Sequence, residues 1–339
     1  MKKRTAIISI VAVVLLALAA VAVAVYRHQR VHVAEAVRVN IPQGSTYEAL
    51  LDSLDANGCI ADRTVFDAAA RLRGLDKHVR GGSYLLQPGM SLAVMIQKLY
   101  NGNQDPIMLV INKQRTVRNL CDYLGSKLDL DADTLMALLT DDKVTADLGC
   151  TPATVFLLFP QNTYEVYWNI SPERLLERMK RESDRFWTTS RLNKCHDLGL
   201  TPAQVLTLAS IVDEETNNNA EKATVASVYL NRLRRGMPLQ ADPTVRYAVS
   251  DFTLRRILNA HTAVKSPYNT YLNPGLPPGP ICIPQPSSID AVLANLHTNY
   301  LYFCAKEDFS GSHNFAATLA EHQANAARYH RALNARKIK

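Results

Sequence analysis

Three acids in a row, Asp213, Glu214 and Glu215, close the stretch 201–219, TPAQVLTLASIVDEETNNN. A carboxylic acid kept protonated near neutral pH can deliver a proton to a leaving group. Burial keeps it so, because lost hydration disfavours the charged form. The stretch reads as one helix: Thr201 can cap it, Pro202 suits the first helical position, and Gln204 completes a Thr-x-x-Gln capping box. At about 100° per residue, Val205, Leu208, Ala209, Ile211 and Val212 form an apolar stripe. Glu215 falls within that stripe, Asp213 lies at its margin, and Glu214 points nearly opposite. The competing reading is an acidic last turn that faces water and opposes the helix dipole.

Three further segments gather polar and aromatic side chains among turn residues: Asn231-Arg232 with Gln240, Asp242, Pro243 and Thr244; Tyr268-Asn269-Thr270-Tyr271; and Ser312-His313-Asn314-Phe315. Amides and hydroxyls pair with sugar hydroxyls, and rings lie along sugar faces, so loops of this composition beside rigid helices suit a glycan cleft. Each has a plainer reading. Asp242-Pro243-Thr244 can be a helix cap, the GLPPGP run a stiff surface loop, and His313 a turn residue facing solvent.

The elements that must position these groups are legible in outline. At 339 residues, 47% hydrophobic and 20% charged, the chain is globular and long enough for two domains. The net charge of +7 fits a surface facing anionic lipid or an anionic polymer. No aromatic RNA-binding strand, zinc-finger spacing or Gly-rich phosphate loop is present, so nucleic acid is not an expected partner, and neither a metal nor a nucleotide cofactor is expected.

Residues 1–5 read as a cytoplasmic stub, and the uncharged run 6–26 as a retained transmembrane helix, too long for the apolar core of a cleaved signal. Residues 27–36 are a linker, and everything after residue 30 is expected outside the cytoplasm. Six cysteines without a CxxC pair read as small buried hydrophobes, and no bridge is assigned.

Beyond the linker, alternation over 37–41 predicts a strand, followed by helices through Leu50 and Leu54 and over 63–75. A strand over 83–86 and a helix through Ile96 and Leu99 repeat the theme. Residues 107–113 predict a strand entering the second domain. Helices are expected over 117–127, 132–139, 172–187, 223–234, 288–296 and 316–337, and a strand over 300–303. FLLFPQNTYEVYWNISP reads as an aromatic-rich connection, and the region from Leu239 to Pro286 as turn-rich loops.

In order, SIVDEET, VASVYLNRL, RGMPLQADPTVRYA, YNTYLNPGLPPGPI and LYFCAKEDFSGSHNF resemble the endolytic murein transglycosylases of the YceG-like family. So do the N-terminal anchor, IPQGSTYEALLDSL, LQPGMSL and FPQNTYEVYWN, and the resemblance covers nearly the whole chain. It implies an α+β fold, with the transmembrane helix, a small LysM-like domain over 37–105 and a larger mixed α/β catalytic domain over 106–339. It implies an enzyme that cleaves the bond between N-acetylmuramic acid and N-acetylglucosamine inside peptidoglycan glycan strands without water, leaving 1,6-anhydro ends. The expected surroundings are the inner-membrane bilayer, a single pass, and wall-synthesis proteins as partners.

The family pattern approximates Ile-Val-Glu-x-Glu-Thr, and here Asp213 stands at its first acid. The retained Glu-Thr step and the helical wheel both select Glu215 as the catalytic acid. Asn231, Gln240, Asp242, Thr244, Tyr247, Tyr268, Asn269 and Tyr271 are the expected substrate contacts, and His313 and Phe315 match the family's Gly-x-His-x-Phe step. A wall-binding scaffold without activity and a muramidase-type hydrolase are the alternatives.

Overall fold

The structure is a computed structural model describing residues 14–19, 33–254 and 256–336. Most of the apolar run 6–26 therefore lies outside the described residues. Among those described, 14–19 are helical, and no helix is long and apolar enough to cross a membrane.

The fold is α+β, with three two-stranded sheets among the described residues. In chain order the elements are β1 (Val37–Ile41), α1 (Tyr47–Ala56), α2 (Arg63–Leu72), β2 (Gly82–Leu86), α3 (Leu92–Asn101), β3 (Ile107–Ile111), α4 (Val117–Lys127), α5 (Ala132–Thr140), α6 (Asp142–Asp147), β4 (Asn162–Val166), α7 (Pro172–Phe186), α8 (Thr189–Leu198), α9 (Pro202–Glu215), α10 (Lys222–Arg234), α11 (Asp242–Val249), α12 (Asn259–Thr262), α13 (Pro286–Leu293), β5 (Tyr302–Ala305), β6 (His313–Ala316) and α14 (Leu319–Ala335). Short 3-10 turns cover Leu75–Lys77 and Pro152–Leu158.

The chain divides into two compact units. The first holds the described residues up to Leu109, with Lys127–Asp129 and Glu165–Ser171. Here β1 pairs antiparallel with β2, Val37 opposite Leu86 and Ile41 opposite Gly82. Val39 and Ile41 turn inward while Arg38 and Asn40 face out, the period of two that a half-buried strand requires. Thr46 and Ser91 cap α1 and α3 through their hydroxyls. Leu50, Leu54, Phe66, Leu75, Tyr84, Met95 and Ile96 close one core.

The second unit is built around α9, which packs against α10, α11 and α13. Its capping box forms as the sequence predicts, with Thr201 and Gln204 each accepting from the other's backbone N–H. The apolar stripe does not describe it. All nine residues 205–213 are buried, so the helix is enclosed on every side. Its hydroxyls are satisfied internally: Thr207 donates to the Ala203 carbonyl at 2.8 Å and Ser210 to that of Thr207 at 2.7 Å. The Ser210 oxygen also accepts from the Ile281 N–H at 3.0 Å, fastening the 281–285 segment along the helix.

Helices α6, α8 and α12 and the strand β6 were not expected from the sequence, and β4 and α11 replace segments read as connection and loop. Residues 162–166 form β4, with Tyr164 and Val166 inward, where a connection was expected. A strand is completed by its partner, here β3 about fifty residues earlier, which local composition does not reveal. Residues 242–249 form α11 rather than loop, because Pro243 at the helix start fixes φ where no N–H partner is needed.

The Pro-rich loop before α13 is seated tightly at Gly279, where an added Cβ would lie 1.9 Å from the Ala153 carbonyl oxygen. Backbone cannot yield as a flexible side chain can. Gly279→Ala is therefore expected to cost about 1–3 kcal/mol or more, read as a lower midpoint in urea unfolding.

Candidate active site

The last turn of α9 places three carboxylates at the negative end of a helix dipole, where each is intrinsically disfavoured as an anion. The second unit treats them differently. Asp213 is only 2% exposed. Its Oδ2 lies 2.6 Å from Lys113 Nζ, and its Oδ1 accepts from Ser288 Oγ at 2.5 Å and from Lys222 Nζ at 3.2 Å. Burial alone would raise its pKa, but the hydrogen bonds from Lys113 and Ser288 and the two lysine charges outweigh burial and hold it below the usual carboxylate range. Lys113 also donates to the Asp213 backbone carbonyl at 3.2 Å, satisfying an orphan acceptor at the helix end.

Glu214 is held by the Arg115 guanidinium at 3.0–3.3 Å and by Lys113 Nζ at 3.2 Å. Two acids thus meet three cations, since Lys222 belongs to the same cluster. Lys222 is itself buried and completes its donors on Gln285 Oε1 and Ser287 Oγ.

Glu215 forms no salt bridge among the described residues. Its Oε1 accepts a 2.6 Å hydrogen bond from the Tyr229 hydroxyl, and burial pushes its pKa up to about 7. The tyrosine bond opposes that rise, the charge of Asp242 adds to it, and that of Arg246 opposes it. The Glu215 carboxyl can therefore hold a proton near neutral pH, while that of Asp213 cannot. The helical wheel chose Glu215 by direction, yet Asp213 is the less exposed to solvent. The distinction lies in the partners.

Glu215 lines a cavity of about 310 Å³ in the second unit, together with Tyr229, Arg232, Gln240, Asp242 and Tyr271. Leu239, Phe303 and His322 complete the wall. Tyr271 donates to Asp242 Oδ1 at 2.6 Å, orienting that carboxylate. Arg232 donates to the backbone carbonyls of Leu301 at 2.7 Å and Leu239 at 2.8 Å, and reaches Gln240 Oε1 at 3.4 Å. Gln240 adopts a left-handed φ of +51°, a conformation costly for a side-chain-bearing residue and common at functional sites.

Of the ten expected contacts, Gln240, Asp242 and Tyr271 line the cavity with Glu215. Four others brace it. Thr244 and Thr270 share a buried hydroxyl contact at 2.8 Å, and Thr270 accepts from the Ala241 N–H at 3.0 Å. Asn269, fully buried, donates to the Thr262 and Val264 carbonyls and accepts from the Tyr271 N–H. His313 and Phe315 pack on Phe303 with ring centres 5.3 and 6.1 Å away, and Glu221 accepts from both the His313 N–H and its ring. The remaining three lie off the cavity wall. Asn231 donates to the Thr298 and Tyr300 carbonyls, and Tyr247 packs between Tyr268 and Phe252.

Sequence reading did not select Tyr229, Leu239, Phe303 or His322, and took Arg232 only as part of a polar segment. Tyr229 and Arg232 are three apart on α10 and share a face, which is the signal that could have found them.

Two outcomes follow from these environments. Asp213→Asn leaves Lys113 and Lys222 without their buried counter-charge, and is expected to cost about 3–5 kcal/mol in denaturant unfolding. Glu215 binds its proton more tightly folded than unfolded. Its stabilising contribution is therefore complete below its ordinary pKa of 4.5 and is lost as the pH climbs through about 7. Glu215→Gln should gain stability relative to the natural chain between pH 5 and pH 8, and a pH-independent difference would mean an ordinary carboxyl.

The sequence matches the YceG-like family over residues 39–328. It is 30% identical to the endolytic murein transglycosylase of Bacillus subtilis (strain 168), the match covering 86% of this chain and 84% of that protein. It is 26% identical to the endolytic murein transglycosylase of Streptococcus pneumoniae (serotype 2, strain D39), of which it spans 58%. A crystal structure of a YceG-like protein from Listeria monocytogenes aligns with a TM-score of 0.57 at 28% identity, over 86% of this chain and 98% of that one. By its family match over most of its length, the chain belongs to the YceG-like family.

Proposed function

We propose that this protein is an endolytic peptidoglycan lytic transglycosylase with Glu215 as its single acid and base. The observation that carries the reading is the contrast among neighbouring acids. Glu215 keeps a proton near neutral pH in a cavity-lining position, while Asp213 and Glu214 are tied to cations. The relatives named endolytic murein transglycosylases supply the substrate class.

Glu215 first gives its proton to the glycosidic oxygen between N-acetylmuramic acid and N-acetylglucosamine, and the bond to the muramyl C1 breaks. The carboxylate left behind then takes the proton of the muramyl C6 hydroxyl as that oxygen bonds to C1, closing the 1,6-anhydro ring. The nucleophile is held by the substrate's own covalent geometry, so no second carboxylate is required to activate water. Tyr229 steadies the anion between the two transfers. Asp242, oriented by Tyr271, supplies negative charge near the positive character that develops at C1. Gln240 contacts sugar hydroxyls or acetamido groups. Asn231, Thr244, Tyr247, Tyr268, Asn269, His313 and Phe315 act in substrate binding or in holding the cavity wall.

The same reading assigns residues 37–105 as a LysM-like glycan-binding domain and 106–339 as the catalytic domain. It assigns 6–26 as a single-pass anchor in the inner membrane, with the catalytic domain outside the cytoplasm and wall-synthesis proteins as neighbours during wall growth. The apolar, uncharged composition of 6–26 supports the anchor.

A second carboxylate on the cavity wall, Asp242, favours one competing reading, a hydrolase in which it activates water. Product chemistry separates the two. Full-length protein in detergent, incubated with purified glycan strands and followed by mass spectrometry, is expected to yield anhydro-muramyl ends, with none from Glu215→Gln. Reducing ends would assign a hydrolase, and intact glycan a binding scaffold.

A further inference from the structure

His322 lies on the same cavity wall as Glu215, although it comes from α14, more than a hundred residues away in the chain. Its ring stacks on Tyr302, with centroids 5.3 Å apart and planes 21° from parallel, so the imidazole is held in one plane. Tyr302 in turn lies 5.2 Å from the Arg232 guanidinium, which lines the cavity as well. Burial lowers the proton affinity of His322, and the Arg232 charge lowers it further, so the ring is neutral at neutral pH. A neutral imidazole carries one donor and one acceptor.

Its Nδ1 is buried and has no hydrogen-bond partner among the described residues. A sealed nitrogen cannot meet a molecule in the cavity, so any polar contact from this ring to the cavity falls to Nε2. The hydrogen bonds around it are engaged elsewhere: Arg232 is spent on backbone carbonyls and Gln240, Tyr229 on Glu215, and Tyr271 on Asp242. Neighbouring Glu321 is turned to the start of α14, where it accepts from the Ala317 and Thr318 N–H groups. A plain structural histidine would be expected to anchor its ring to one of these groups. Stacking on Tyr302 orients the ring on the cavity wall, and with Nδ1 sealed its remaining polar atom is Nε2.

We propose that His322 is a substrate-contacting residue whose Nε2 forms a hydrogen bond with a hydroxyl or acetamido group of the sugar seated beside Glu215. It carries no proton in the reaction, since Glu215 both gives and takes it. The contact binds and orients the sugar whose glycosidic oxygen Glu215 must reach. This assignment rests on the glycan-cleaving reading of the cavity.

The experiment uses full-length Glu215→Gln protein in detergent, so that bound glycan is not consumed. The probe is a purified tetrasaccharide of alternating N-acetylglucosamine and N-acetylmuramic acid. The ring-nitrogen chemical shifts of His322 are followed by NMR with labelled histidine, and binding by calorimetry, in Glu215→Gln alone and combined with His322→Ala or His322→Gln. The expected results are a shift of the His322 nitrogens on adding glycan and a Kd about tenfold weaker with His322→Ala. His322→Gln, whose amide also donates and accepts, should recover part of the loss. A purely structural histidine would leave the nitrogens unmoved by glycan, and that result overturns the proposal. An unchanged Kd in His322→Ala overturns it equally. If His322→Ala fails to fold, the nitrogen shifts in the parent decide alone. Should the unsubstituted protein cleave glycan while His322 stays silent, the enzyme reading survives and this contact falls. A protein that neither binds nor cleaves glycan removes both.

Discussion

The constraint on which the second unit turns is the electrostatics at the end of α9. Three adjacent carboxylates close a helix whose preceding residues are enclosed on all sides. As bare anions at that dipole end they would be intolerable in a low-dielectric surrounding. Lys113, Arg115 and Lys222 make the turn possible, and they come from the strand β3 exit and the start of α10. The cost of gathering them is offset because each lysine serves several acceptors. Lys113 alone meets two side chains and the helix-end carbonyl. Such a cluster is weak as a source of net stability but demanding in geometry, since losing one member strands the others.

That arrangement also explains why one acid of the three differs. Cation pairing stabilises the charged form of Asp213 in place, and Arg115 and Lys113 hold the neighbouring Glu214. Glu215 is one residue further along, where the chain leaves the helix at Thr216 and the lysines no longer reach. It meets a tyrosine hydroxyl, which can hydrogen-bond with either protonation state and so does not dictate one. Asp213 and Glu215 are both desolvated, and the partners that each position in the turn brings separate a fixed ion from a titrating one.

Around Glu215 the cavity is assembled from segments far apart in sequence, and a rigid second layer holds them. Thr244, Thr270 and Asn269 spend their polar atoms on the 240–271 backbone, fixing Gln240 in its left-handed conformation and aiming Tyr271 at Asp242. On the other side, the pairing of Phe303 opposite Phe315 in β5 and β6 seats Phe303 against Tyr229 at a perpendicular angle. The buried polar groups of this layer are matched to backbone partners, which is what makes a loop-built wall stiff enough to position a reaction.

Local chemistry was legible in the chain. The Thr201–Gln204 capping box, the alternation in Val37–Ile41 and the family motifs each depend on residues within one turn or one strand, where propensity and hydrogen bonding are set by near neighbours. Glu215 was singled out from the same short range, although the helical stripe invoked for it dissolved once α9 proved buried all round. Non-local pairing was illegible. The strand at Asn162–Val166 waits on β3, the charge state of Asp213 on a lysine a hundred residues earlier, and the place of His322 on the return of α14 to the cavity. Sequence alone determined which side chains could hold a proton or a sugar. Tertiary structure decided which of them share a cavity and which are tied to cations, because burial and counter-charge belong to neighbours in space and not to neighbours in the chain.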